Sequence, residues 1–181
     1  MNTKRENKKQ LLLNTAKQLL FSGELDILTL DAVAKAANVS KGGLLYHFPT
    51  KEALLTELAS SIFIEMRERF LMIAEQSPAS DYHYTAALIE VTEEDLIANA
   101  ELNVALQAQT AISQVLQEQL SFIYQQMLAH LQKDTLPVSK KQIVRFALDG
   151  LYYNQLFKIA PITKQELRAV LKDLKQFIKE G

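Results

Sequence analysis

The chain has 181 residues, 48% hydrophobic, 23% charged and 8% aromatic, with five Gly, four Pro and no Cys, enough to bury a sizeable core in one domain or in a small domain fused to a larger one. The missing cysteines exclude disulfides, thiolate zinc sites, iron–sulfur clusters and cysteine nucleophiles, which points to the cytoplasm, while glycines at 23, 42, 43, 150 and 181 spell no phosphate-loop or nucleophile-elbow motif and histidines at 47, 83 and 130 give no HExxH. A net charge of −1 conceals +4 over residues 1–51, −10 over 52–132 and +5 over 133–181, so a basic head sits on an acidic body and is aimed at a polyanion, unless its lysines are simply solvated.

Apolar residues recur at spacings of three and four along nearly the whole chain, so the fold class is all-α, with about nine helices. Helix one covers about 5–22 and buries Leu12, Leu13, Ala16, Leu19 and Leu20. Its apolar run is broken by Asn14, Thr15, Lys17 and Gln18, which excludes a secretory or membrane-spanning segment and leaves only a helix lying on anionic lipid. Helix two begins at Thr29, an N-cap residue, with Asp31 in its first turn, and stops near Asn38. Helix three starts at Ser40, a second N-cap, and ends before Pro49.

Helix four runs from Thr50 to about Gln76, its apolar positions dense enough to face two neighbours. Helices five and six fall near 81–95 and 99–109, helix seven near 111–133, helix eight from Ser139 to about Ile159, and helix nine from Thr163 to about Lys179. There is no repeat and no low-complexity linker. The division therefore falls as 1–50 and 51–181, with helix four shared as a connector.

The spacing within TLDAVAKAANVSKGGLLYHF, residues 29–48, matches two short helices crossing steeply. Ala34 is the small residue at the crossing, and Asn38 is the turn residue that tolerates positive φ. Val39 and Leu44 lie behind. An ordinary helical hairpin has the same apolar spacing, but its outward face would differ. Here that face offers Lys41, Gly42, Gly43, Tyr46 and His47, with no acid from Ala32 to Thr50. Two adjacent glycines each cost a helix about 1 kcal/mol relative to alanine, which makes sense where backbone must approach another surface. The N–H groups after Ser40, with Lys41, then form a phosphate site, and the pair of helices reads as a DNA-binding helix-turn-helix.

Extended to TLDAVAKAANVSKGGLLYHFPTKEALLTEL, the segment resembles the helix-turn-helix of the TetR family of bacterial transcriptional regulators, most specifically in SKG…YHF…KE. The resemblance is dense over about residues 10–58 and architectural beyond. It implies that helices one to three bind DNA, that helix four is a connecting rod, and that the remainder binds a small molecule and dimerises. It also implies a homodimeric repressor released from operator DNA by that ligand.

Carried over residue by residue, Thr29 contacts a phosphate, and Ser40 and Lys41 approach backbone and base edges. Gly42 and Gly43 allow close approach, Tyr46 and His47 contact phosphate or sugar, Lys51 clamps the backbone, and Phe48 fills the small core. Three departures stand out. Asn38 replaces the usual glycine, Glu24 stands where the first loop usually has one, and Leu45 replaces a common aromatic, leaving a contact to a thymine methyl.

In the body, Ile143, Ala147, Gly150, Leu151 and Asn154 lie along one stripe of helix eight, and Leu167, Leu171, Leu174 and Ile178 along a heptad-like seam of helix nine. The family architecture turns these stripes into a four-helix homodimer interface; on their own they serve equally to pack on helix seven. Phe63, Met66, Phe70, Tyr124, Met127 and Tyr153, with Asn103 and Gln107, suit a pocket for a hydrophobic or cationic ligand, and a filled core would use the same residues. Glu93-Glu94-Asp95 reads as a solvated helix end, and His83 and His130 as ordinary histidines. Nothing assembles a nucleophile and base, and no residue set calls for a cofactor or metal.

The expected partners are double-stranded DNA carrying an inverted repeat, a second copy of the chain and a small molecule, with no membrane. The alternative is a helical interaction module whose basic head binds acidic protein or lipid surfaces. Such a module has no preference for an inverted repeat.

Overall fold

The computed structural model describes residues 2–21, 28–77, 80–98, 114–157 and 160–180. Among them lie eight helices and no strand: α1 (Asn2–Phe21), α2 (Leu30–Ala36), α3 (Lys41–Leu45), α4 (Lys51–Glu75), α5 (His83–Ala98), α6 (Gln114–Leu131), α7 (Val138–Phe157) and α8 (Lys164–Phe177). Eight of the nine expected helices are thus present within a few residues of their expected ends. The expected helix at 99–109, with Asn103 and Gln107, lies outside the described residues. No described helix is long and apolar enough to cross a membrane.

Two compact units part within α4, between Ile62 and Phe63, and again within α6, between Leu116 and Gln117. In the first, α2 packs against both α1 and α3, and the interior is built from Leu12, Leu13, Ala16, Val33, Leu44 and Phe48 with the α4 residues Leu54 and Leu58. Phe48 is buried, as its place in the motif implied. Each short helix is delimited by side-chain chemistry. Thr29 Oγ1 accepts from the Ala32 amide at 3.1 Å, Ser40 Oγ from Gly43 at 3.2 Å and Thr50 Oγ1 from Ala53 at 3.0 Å, three N-caps that satisfy otherwise orphaned amides.

Between α2 and α3 the chain reverses through Asn38, whose φ of 53° is left-handed. The Asn38 amide donates to Lys35 O at 3.1 Å and the Val39 amide to Ala34 O at 2.9 Å, the paired bonds of a Schellman C-cap. Asn is among the few non-glycine residues that adopt this conformation cheaply, so the departure from glycine leaves the turn intact.

The second unit is centred on Phe70, Leu88, Ile89, Met127, Val144, Leu148 and Leu171, with α5 packed against α7 and α8. Arg69 on α4 forks onto Glu94 of α5 at 2.8 and 2.7 Å, and Lys175 on α8 reaches Glu90 and Glu93 at 3.2 and 2.7 Å. Asp95 is buried and accepts from Tyr152 Oη at 2.9 Å. The three consecutive acids are therefore not a solvated helix end. They lie inside α5, whose helical turn sends each to a different neighbour.

A second correction concerns the seam expected between subunits. Leu151, Leu167, Leu171, Leu174 and Ile178 lie in this unit's own core, because the single apolar face of α8 is consumed within the subunit. Asn154 does not sit on an open stripe either. Its side-chain amide donates to Ala160 O at 2.9 Å and accepts from the Ile162 amide at 3.3 Å, bracing a turn in which Ala160 is held at φ 52°. The large apolar side chains that α7 leaves exposed are Val138, at its first residue, and Ile143, Phe146 and Tyr153 along its length. Tyr153 thus faces outward and lines no interior.

The first turn of α5 is capped by a residue from the α6–α7 connection. The Asp134 carboxylate accepts from the amides of Tyr84 and Thr85 at 3.2 and 2.7 Å and from Thr85 Oγ1 at 2.6 Å, while the buried Lys141 ammonium donates to the Asp134 carbonyl at 3.2 Å. Removing the carboxylate strands buried donors at a helix N-terminus. Asp134→Ala is expected to lower stability by about 2 kcal/mol, with Asp134→Asn losing less; urea unfolding of the variants measures both.

Candidate nucleic-acid interface

A five-residue helix has little stability of its own, so the caps and the Asn38 turn fix where α3 points. It carries Lys41 and Gly42 exposed and Leu45 half-buried, while Leu44 closes inward. The two glycines have different surroundings. A methyl group added at Gly42 meets nothing within 4 Å, whereas one at Gly43 would lie 3.0 Å from Ser40 Oγ and 3.1 Å from both Lys8 Nζ and Val39 Cγ1. Gly42 is thus the position open to an incoming surface. Gly43 admits the cap and the Lys8 ammonium.

Lys8 belongs to a group on α1 that net charge alone did not single out. Arg5 lies over the exposed Tyr46 ring, its guanidinium carbon 5.1 Å from the centroid, a favourable cation–π geometry. The Tyr46 and His47 rings meet edge to face at 5.2 Å. Partial burial, then the nearby charges of Arg5, Lys8 and Lys9, hold the His47 pKa below its ordinary value of 6.5. Lys9 also bonds Glu57 of α4 at 2.6 Å. The spacing 5, 8, 9 places these cations on one helical face, a signal the sequence carried. Together with the end of α3 they make a cationic surface that an anion would relieve.

Thr29 and Ser40 are exposed at their helix starts, each hydroxyl accepting from its own helix, which leaves the O–H proton to donate outward. Lys51 is half-buried at the start of α4, beside the Thr50 cap. Lys41 does not reach out alone: its ammonium lies 2.9 and 3.0 Å from the two carboxylate oxygens of Asp31. That pairing was not expected from the sequence, where Asp31 read only as a favourable first-turn acid.

Among the candidates for a ligand pocket, Phe70 and Met127 are fully buried in the second unit, and Phe63, Met66 and Tyr124 are half-buried. Tyr124 Oη donates to Asp149 at 2.7 Å, and Tyr152 Oη, besides its bond to Asp95, lies 4.0 Å from Met66 Sδ. Burial and the facing carboxylates push both phenol pKa values upward, so both stay protonated as donors. Sequence reasoning passed over Tyr152 and Asp95 as a pair. Among the described residues there is no cluster of three or more metal-ligating side chains.

The family model for bacterial regulatory proteins of the tetR family matches residues 12–58, the span that holds the helix-turn-helix. The model of the tetracyclin repressor-like C-terminal domain matches residues 83–179, more than half of the chain. The chain belongs to the TetR family. The HTH-type transcriptional regulator QacR of Staphylococcus aureus is 32% identical over 92 residues, 43% of this chain and 49% of that protein; the match spans about half the length of that curated relative. The fatty acid degradation regulator FadR from Bacillus halodurans superposes with a TM-score of 0.66 at 18% identity, over 96% of this chain and 95% of that one. A TetR-family member from Streptomyces coelicolor A3 gives 0.60 at 20% identity, over 92% and 97%. At such identities the two structures establish the shared fold.

In this TetR-family chain, Gly42→Ala is expected to stabilise α3 by up to about 1 kcal/mol yet weaken DNA binding, a divergence that thermal melting and fluorescence anisotropy together reveal. His47 gives a second expectation. Its pKa is low in the free protein, and nearby phosphates would raise it, so binding takes up a proton. Affinity then climbs as pH falls through the pKa of the complex and levels off below the lower pKa of the free protein, by up to about tenfold for each unit of difference. A titration series from pH 7.5 down to about 5.5 measures this, and His47→Ala should flatten it.

Proposed function

We propose that this protein is a ligand-responsive, DNA-binding transcriptional repressor that acts as a homodimer on an inverted-repeat operator. The observation that carries the reading is α3 itself: a capped, short helix with an open glycine, flanked by Arg5, Lys8, Lys41 and His47. Thr29, Ser40, Tyr46, His47 and Lys51 bind phosphate and sugar, and Lys41 reaches base edges as well as backbone. Gly42 gives clearance, Gly43 seats the cap and Lys8, and Leu45 touches a thymine methyl.

The dimer forms through α7 and α8, but on a different set of side chains from the buried leucines. Ile143, Phe146, Gly150 and Tyr153 follow one another at helical spacing, all exposed, with Ala147 half-buried beside them and Val170 exposed on α8. Gly150 has open space where a side chain would stand, which lets a second helix come close. An apolar stripe of this kind on a charged chain supports a self-complementary interface. Two-fold symmetry then sets the half-sites about 34–36 Å apart.

The ligand is hydrophobic or cationic. Apolar Phe70, Met127 and Met66 lie in the same unit as two phenol–carboxylate pairs, Tyr152–Asp95 and Tyr124–Asp149, and a cation can compete for such carboxylates. Because α4 runs unbroken from Lys51 to Glu75, a shift at its later turns is transmitted to the start of the helix. Coupling of this kind is reciprocal, so operator DNA weakens ligand binding by the factor by which ligand weakens DNA binding.

The test is a titration of the full chain against fragments of the DNA flanking its own gene, in rising salt. A tight, salt-sensitive complex on a fragment with an inverted repeat supports the reading, and equal weak binding to every fragment counts against it. Phe146→Glu is expected to convert the dimer to monomer in sedimentation equilibrium without unfolding it, and to lower operator affinity by at least about a hundredfold as two linked half-sites become independent.

A further inference from the structure

Asp31 is the sole acid between Leu28 and Lys51. It stands on the first turn of α2, and both its carboxylate oxygens lie within 3.0 Å of the Lys41 ammonium at the start of α3. Both side chains are largely exposed, at 66% and 63%. Exposed ion pairs contribute little to stability. Nor does the crossing of α2 and α3 need this one, since the Asn38 turn and the caps at Thr29 and Ser40 already define it. A carboxylate on a surface meant for phosphates is moreover a cost to binding any DNA.

We propose that Asp31 is a specificity-determining residue, which withholds Lys41 from indiscriminate phosphate contact and presents it in one orientation to the operator; this rests on the DNA-binding reading of α3. Two physical consequences of the pair follow. First, binding to arbitrary DNA depends on how many cations can neutralise phosphates, and Asp31 removes one from that number. Second, a lysine tethered at two oxygens loses much of its rotamer freedom before DNA arrives, so an acceptor placed in register meets an ammonium already oriented. The ammonium has three donors, so it can keep one on Asp31 while giving others to a base edge or phosphate. Misregistered DNA has to break the pair, and operator DNA does not. Specificity is a difference between two affinities, and an element that penalises the wrong partner raises it.

The experiment compares the full-length protein with Asp31→Asn, Lys41→Ala and the double variant, by fluorescence anisotropy in a salt series. The probes are the flanking fragment bound most tightly and a scrambled duplex of equal length. Asp31→Asn is expected to tighten the scrambled duplex by about threefold to tenfold and steepen its salt slope by about one unit, with the operator gaining less, so that the specificity ratio falls. In the Lys41→Ala background the same substitution should act far more weakly and equally on both duplexes, leaving the specificity ratio unchanged. Equal tightening of both duplexes, or an undiminished effect of Asp31→Asn without Lys41, would overturn the proposal in favour of a general field effect. Weaker binding to both duplexes with a lowered melting temperature would overturn it in favour of a helix-terminus role. If Lys41→Ala changes neither affinity nor slope, the assignment of α3 as the DNA-reading helix fails with it.

Discussion

The arrangement of α2 and α3 depends on one backbone reversal. Asn38 in the left-handed region ends α2 and returns the Val39 amide to Ala34 O, so Ser40 arrives in position to cap α3. Without that reversal a five-residue helix would have neither a direction nor a reason to persist. Leu44 and Phe48 then anchor it from behind. The outward residues inherit their geometry from this arrangement, including the open face at Gly42. Local capping thus compensates for the shortness of α3.

Charge on this surface is arranged with similar economy. Arg5 and Lys8 come from α1 and Lys41 and His47 from α3 and the turn after it, and Lys41 is paired with the Asp31 carboxylate. Partial burial and then the cations held close together keep His47 from protonating readily. A polyanion turns that repulsion into attraction. The resting state carries an electrostatic tension that binding releases, which favours rapid encounter with DNA.

Much of the first unit was legible in the sequence because its determinants are local. Thr29, Asn38, Ser40 and Thr50 act on residues within a few positions of themselves, and their types announce their roles. The Asp31–Lys41 pair was not legible, since ten residues and a change of helix direction separate the partners. The Arg5–Tyr46 stack spans still more chain. In the second unit the α8 leucines were read correctly as one stripe, but a stripe does not say whether its neighbour is the same chain or another copy. Periodicity identifies the buried face and is silent about what buries it. Asp95 failed for a related reason. Three acids in a row look solvated, and only the facing Tyr152 shows that one of them turns inward.

The Asp134 cap has a consequence for the order in which the protein takes shape. The amides it satisfies belong to Tyr84 and Thr85, 50 and 49 residues earlier, so the first turn of α5 has no cap until the chain has been made through the end of α6. The caps, turn and anchors of α2 and α3, by contrast, all lie between Thr29 and Phe48. Because domains acquire structure in the order of synthesis and distant contacts form slowly, the nascent chain carries the residues of the Asn38 turn while α5 is still waiting for a single aspartate. The turn between α2 and α3 is therefore made before the cap of α5 exists.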